Sequence, residues 1–232
     1  MIDTRSLVDR VYEHLLTQIV TGEIKYGDVI NIKKIADELR ISTMPVREAL
    51  KRLEFERMVE IKPRSSCRLL KPSRKLIREV YELREVIELY AATCGKGGDD
   101  PARYSRLDAI VEEMRQLDGE QDVGKKEKRA IALDRDFHTA LCDLADNEFM
   151  NGFYRQLSLH VNMTLIHERT YTKLEGQWAE SHAEIVRALE QDPDHVADIL
   201  KRHFNNVLEL LPEEEESTDD EPDDEPEKED DQ

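Results

Sequence analysis

Cysteine is scarce in this 232-residue chain: Cys67, Cys94 and Cys142 are the whole complement. Three scattered thiols, odd in number, exclude a disulfide framework and a Cys-x-x-Cys metal site, and they fit a reducing compartment. Long apolar runs are missing as well. No stretch approaches the roughly 18 consecutive apolar residues of a membrane-spanning helix, and Met1-Ile2-Asp3-Thr4-Arg5 lacks the layout of a secretion signal. A cytoplasmic location with no membrane partner is therefore expected. Glycine and proline are few, at nine and eight, and aromatics make up only 6%, which disfavours an all-β sandwich or barrel. What is abundant is Leu, Glu, Arg, Ala and Asp, the composition of a helical chain, with 39% hydrophobic residues to build a core. Length allows one large domain or two small ones.

The net charge of -18 is uneven along the chain. Residues 1–72 carry 14 Lys and Arg against 11 Asp and Glu, residues 73–212 carry 19 against 27, and residues 213–232 carry 1 against 14. Most of the acidity sits in one tail, and the N-terminal third is mildly basic. Three segments with different roles follow: residues 1–72, 73–211 and 212–232.

In the first segment, Leu7, Val8, Val11, Tyr12, Leu15, Leu16, Ile19 and Val20 repeat every three or four residues, predicting an amphipathic helix that ends near Gly22. After a turn at Tyr26-Gly27-Asp28, a short helix carries Ile35, Ala36 and Leu39, and a longer one has Pro45 in its first turn. Val46, Ala49, Leu50 and Leu53 form its buried side, and Ser42 or Thr43 can cap it. This is a helix-turn-helix pattern. Val59-Glu60-Ile61-Lys62 and Cys67-Arg68-Leu69-Leu70 read as two strands around Pro63-Arg64-Ser65-Ser66, which adds a wing. Arg47 and Lys51 lie four apart on the exposed side of the Pro45 helix, with Arg52 beside them, so the helix can enter a DNA major groove. Arg64 and Arg68 of the wing can reach the minor groove or backbone. The plainer alternative is a solvated helix face; helix-turn-helix, basic helix and basic wing in succession favour double-stranded DNA.

Gly22-Glu23-Ile24, Tyr26-Gly27-Asp28, Ile35-Ala36-Asp37-Glu38-Leu39, Ser42-Thr43-Met44-Pro45-Val46-Arg47-Glu48-Ala49-Leu50 and Leu53-Glu54 resemble the winged domain of GntR-family transcription regulators. That resemblance implies that Arg47 contacts DNA and that Ser42 meets a phosphate, with Thr43 beside it. Two positions depart from the family: Thr43-Met44 stands where Arg-Thr is usual before the proline, and Ser66 where the wing usually has glycine. The first change removes an arginine and the second a tight-turn residue.

Beyond Pro72-Ser73, apolar spacing from Ile77 to Ala91 predicts a long helix halted at Gly95–Pro101, followed by helices near 102–118, 125–145, 147–171, 175–191 and 194–211. The fold class expected is mainly α: a winged helix-turn-helix followed by an all-α antiparallel six-helix bundle. Asp134 and His138 share one helix face, and His182 and His203 lie on two later helices. One carboxylate and three imidazoles brought together would hold a divalent metal such as zinc, nickel or manganese; the alternative is a capping coincidence and hydrogen-bonded core histidines.

Asp134-Arg135-Asp136-Phe137-His138, then Asn147, then Ser181-His182-Ala183-Glu184-Ile185, then His203 resemble the metal-binding ligand domain of the FadR branch of the same family, and six helices resemble its shorter subgroup typified by vanillate regulators. The resemblance implies that Asp134, His138, His182 and His203 bind the metal, that a small carboxylate effector completes its coordination, and that Arg84 faces this pocket. Arg84 could then pair bidentately with the effector, or it forms a surface ion pair with Glu88. Ser181 stands where the family often has Glu. His14, His160, His167 and His195 read as structural or exposed, and Trp178, Phe149, Phe153 and Phe204 as core.

The function expected is a ligand-responsive regulator, a homodimer on a near-palindromic operator, acting as a repressor relieved by its effector. A regulator that has lost its ligand response is the second reading. A metal-dependent enzyme is the third, disfavoured because no motif supplies a general base and the winged segment would go unexplained. The tail, Pro212 to Gln232, has no aliphatic or aromatic residue and is expected to be disordered, either a solubilising appendage or a mimic of DNA.

Overall fold

The computed structural model describes residues 6–62, 66–95, 101–167, 177–192 and 194–210. Arg64, His167 and the acidic tail, on which expectations were placed, fall outside those residues or have side chains outside them. The first helix, α1 (Leu7–Val20), starts where Ser6 and Asp9 cap each other reciprocally, and it buries Val11, Tyr12, Leu15 and Ile19. It stops before Gly22, whose φ of 73° continues the turn without the steric cost another residue would meet. Asn31 caps α2 (Ile32–Leu39) through the Lys34 amide at 3.0 Å, and Arg40 ends it in the left-handed region at φ 54°. The helix α3 (Thr43–Phe55) follows after two residues.

Three strands, rather than the two expected, complete the winged unit. β2 (Val59–Lys62) and β3 (Ser66–Leu69) pair antiparallel, and β1 (Val29–Ile30) pairs with the other edge of β3, giving the order β1-β3-β2. β1 is only two residues long, too short to show alternation, and is held by Gly27 N–H donating to the Leu69 carbonyl at 2.9 Å. Leu15, Ile19, Val46, Leu50, Leu53, Met58 and Leu69 form a core with no measurable exposure. Each such side chain contributes about 1.5–3 kcal/mol by burial.

Six α-helices follow among the described residues. They are α4 (Arg74–Gly95), α5 (Ser105–Gln116), α6 (Val123–Asp143), α7 (Glu148–His167), α8 (Trp178–Gln191) and α9 (Val196–Glu209). Their starts are set by local chemistry that periodicity does not register: Ser73 Oγ accepts from the Leu76 amide, Asp122 caps Lys125 at 3.0 Å, and Asn147 Oδ1 accepts from the Met150 amide at 3.0 Å. Asn147, one of the positions that carried the resemblance, is thus a helix cap. The bundle core runs through Ile77, Leu107, Met114, Leu133, Phe137, Leu141 and Leu200. α7 packs on α4 and α6 and also touches α1, where its Leu159 joins the winged-domain core.

Trp178 and Phe204 are core residues, as expected, but Phe149 and Phe153 are not. They are 78% and 54% exposed and stack on each other at 5.1 Å on the outer side of α7. Helical spacing gives a face and not its direction, and α7 buries Tyr154 and Val161 instead. All three cysteines are free, with Cys67 and Cys142 buried. No helix among the described residues is long and apolar enough to cross a membrane.

Candidate metal centre and nucleic-acid interface

Asp134 and His138 project from one face of α6, and α8 and α9 bring His182 and His203 against them. One ligand atom from each of the four lies within 4.8 Å of all the others. The histidines are buried, and Asp134 is 13% exposed. Asp134 Oδ1 is 3.3 Å from His182 Nε2 and 3.8 Å from His138 Nε2, and His138 Nε2 is 3.3 Å from His203 Nε2. Phe137 stands edge-on to His182 at 4.7 Å, while Trp178 and Phe204 pack on His182 and His138. The walls are apolar, so charges inside them interact strongly.

Each ring nitrogen on the far side has its own acceptor. His138 Nδ1 is 2.7 Å from Glu88 Oε2, and His182 Nδ1 is 2.8 Å from the Trp178 carbonyl. Neither acceptor can give a proton back when Glu88 is ionised, so both rings carry hydrogen on Nδ1. Ser181 Oγ donates to the Trp178 carbonyl at 3.0 Å and lies 3.2 Å from His203 Nδ1, so that ring also donates through Nδ1. The three Nε2 atoms face one another and the Asp134 carboxylate. His182 Nε2 is buried with no hydrogen-bond partner. Ligand atoms packed at these distances repel unless a proton or a cation stands among them, and the donor set is one that divalent transition metals accept. The residues fit a metal.

The charges agree with this assignment. Burial lowers His138, Arg84 pushes the same way, and the attraction of Glu88 does not overcome them, so the ring is neutral. Burial, followed by the neighbouring His182 and His138, drives His203 well below its ordinary value. Burial alone would raise Asp134 and Glu88. For Asp134 the His138 and His182 contacts outweigh it, and for Glu88 the His138 and Arg84 contacts do, so both carboxylates stay ionised.

Arg84 is on α4, one turn before Glu88, and both are buried. Its Nε donates to Glu88 Oε1 and to Tyr154 Oη, both at 3.1 Å, and Tyr154 in turn donates to Glu88 Oε1 at 2.7 Å. The ion pair weighed for Arg84 exists, but in the interior beside the cluster rather than on the surface. Its guanidinium also lies beside the Tyr81 ring, 5.3 Å from the centroid. Sequence reasoning weighed Glu88 only as a surface partner of Arg84 and missed its contact with His138, and it missed Tyr154 altogether. Glu88 had a signal, four residues from Arg84 on one helix face; Tyr154 had none, being 66 residues away on another helix.

On the winged unit, Arg47 and Lys51 are exposed on α3, and Lys51 Nζ is held by Glu48 at 2.9 Å. Ser42 is exposed at the helix start with no capping hydrogen bond from its side chain, Thr43 is half-buried, and Met44 is exposed. Arg52 departs from the basic face expected: its guanidinium lies 3.8 Å over the Tyr12 ring and reaches Asp9 and Glu56. Arg68 is exposed on the central strand, paired in register with Val29 and Glu60.

Comparison with known proteins matches residues 7–69 to the bacterial regulatory proteins of the gntR family and residues 79–206 to the FCD domain. A relative named as an uncharacterized HTH-type transcriptional regulator, YdhC of Bacillus subtilis, is 24% identical over 198 residues, 85% of this chain and 77% of its own. The HTH-type transcriptional regulator LutR of the same organism is 25% identical over 173 residues, 67% of this chain and 74% of its own. Among solved structures, a putative transcriptional regulator GntR from Rhodococcus sp. RHA1 is similar with a TM-score of 0.75 at 21% identity, over 88% of this chain and 96% of that one. These relatives are transcription regulators, not enzymes.

Proposed function

Because the chain belongs to the GntR family of bacterial regulatory proteins and carries an FCD domain over more than half of its length, we propose that this DNA-binding transcription regulator is controlled by a small carboxylate effector sensed at a divalent metal. One observation carries the reading: the Nε2 atoms of three histidines and the Asp134 carboxylate converge within reach of one ion in an apolar interior. Asp134, His138, His182 and His203 would hold zinc, nickel or manganese, and the bound ion would supply open positions for a carboxylate. Arg84 is the cation poised beside that site, with terminal nitrogens suited to a second, bidentate contact. We divide the chain into a DNA-binding unit, 1–72, and a sensing unit, 73–211, a reading that the two hydrophobic cores support.

On the DNA side, Ser42, Thr43, Arg47 and Lys51 would face the operator from the start and exposed side of α3, with Arg64 and Arg68 assisting from the wing. The active species would be a homodimer. Leu83, Val86 and Tyr90 form an exposed apolar stripe on α4, and Phe149 and Phe153 add another on α7, surfaces that a second copy would cover. Effector binding would favour one orientation of the winged units, with a coupling of about 1–3 kcal/mol, and release the operator. A regulator without ligand response is the second reading, favoured by the existing commitment of Arg84 to Glu88 and Tyr154.

The test is elemental analysis of the full chain and of His138→Ala, followed by calorimetric titration of the metal-loaded protein with small carboxylic acids. About one ion per chain, lost in the variant, with saturable binding of an acid, is expected. A chain that retains no divalent ion and binds no acid would overturn the reading.

A further inference from the structure

Glu88 lies outside the four candidate ligands, yet it has no measurable exposure and joins three helices. Its Oε2 faces His138 Nδ1 of α6 at 2.7 Å; its Oε1 accepts from Arg84 of α4 at 3.1 Å and from Tyr154 of α7 at 2.7 Å. A carboxylate so deeply buried is costly unless every lone pair is answered, and three donors answer this one. The other two histidines are oriented by neutral acceptors, the Trp178 carbonyl and the Ser181 hydroxyl. His138 alone has an anionic one.

We propose that Glu88 is the positioning residue of the metal centre: it holds His138 in the Nδ1–H tautomer with Nε2 aimed at Asp134 and His203, and through its second oxygen it ties that ligand to Arg84. An imidazole whose far N–H donates to a carboxylate is a stronger, better oriented ligand, and outer partners of this kind are worth about 10–100-fold in metal affinity. Because Oε1 and Oε2 belong to one rigid group, a rotation of Glu88 that follows Arg84 also turns the acceptor away from His138. Metal ligation and the state of Arg84 are thereby coupled through one side chain. The affinity readout rests on the metal reading above; the tautomer readout does not.

Two measurements test it. In metal-free protein labelled with 15N-histidine, two-bond 15N–1H correlation reports which His138 nitrogen carries hydrogen; Nδ1–H is expected in the wild-type chain, and a loss of that preference in Glu88→Gln. In zinc competition against a chelator, Glu88→Gln is expected to bind about 10–100-fold more weakly. Wild-type His138 found as the Nε2–H tautomer overturns the proposal, and so does Glu88→Gln with wild-type zinc affinity. If the wild-type chain binds no zinc, the metal reading fails and the tautomer still decides the role of Glu88. The same wild-type measurement decides it if Glu88→Gln does not fold.

Discussion

Arg47 differs from its basic neighbours on α3 in one respect: among the described residues it has no hydrogen bond or ion pair, whereas Lys51 is held by Glu48 and Arg52 by Tyr12, Asp9 and Glu56. Holding a long side chain in two places is costly, so an unengaged arginine is the one able to meet a base edge or phosphate. Arg47→Ala is expected to weaken operator binding by about 1–3 kcal/mol, read by fluorescence anisotropy at fixed salt, with unchanged thermal stability. Arg52→Ala is expected to do the opposite, lowering stability through the Tyr12 contact while leaving DNA affinity nearly intact. Asp134, His138, His182 and His203 were singled out by their resemblance to the family's metal-binding ligand domain, spacing alone being a weak signal, and the fold brings all four together. Glu88 and Arg52 were not, since a charged residue on a helix gives no sign of whether it faces solvent, a buried imidazole or an aromatic ring.

Among the elements, α7 has a divided role. In its first half Tyr154 reaches the Glu88 network, and about a turn and a half later Leu159 packs into the winged-domain core while His160 hydrogen-bonds the Glu56 backbone at the end of α3. Burial lowers His160, the Glu56 contact raises it and the Arg57 charge lowers it; the net shift is downward, so the ring is neutral when docked. A histidine lowered in the folded state stabilises that state above its ordinary value of 6.5 and loses the contribution as pH falls below it. Thermal stability of the winged unit is therefore expected to drop between about pH 7.5 and about pH 5.5, and His160→Gln to remove part of that drop. Differential scanning calorimetry of both proteins at the two pH values checks it, the wild-type difference also containing the titration of other buried groups. The helices themselves were readable from apolar period to within a few residues at each end. What shifted the ends was capping by Ser73, Asp122 and Asn147, and what hid β1 was its length of two residues.

The described residues build two cores, bridged by α7, and exposed large apolar side chains cluster along α4 and near the start of α7. If Val86, 66% exposed, sits in a subunit interface, Val86→Glu is expected to turn a dimer into a monomer in sedimentation equilibrium, with helix content unchanged. The proposed division of labour also bears on heat. Hydrogen bonds accepted by Glu88, Trp178 and Ser181 hold the three histidines in place, so the proposed ion would need little rearrangement to bind, and the cost of crowding four ligand atoms without it would be built into the folded chain. An ion that relieves it binds the folded chain far better than the unfolded one, and by mass action the melting temperature becomes a gauge of free metal. Raising the free ion to about a hundredfold over its dissociation constant adds about 2.7 kcal/mol, and chelation removes it. A calorimetric melting series against buffered zinc should thus trace the affinity of the centre without DNA or effector, and a chain whose melting point ignores zinc would contradict it. On the proposed reading, metal supply would set how much folded sensor survives as well as whether it can sense.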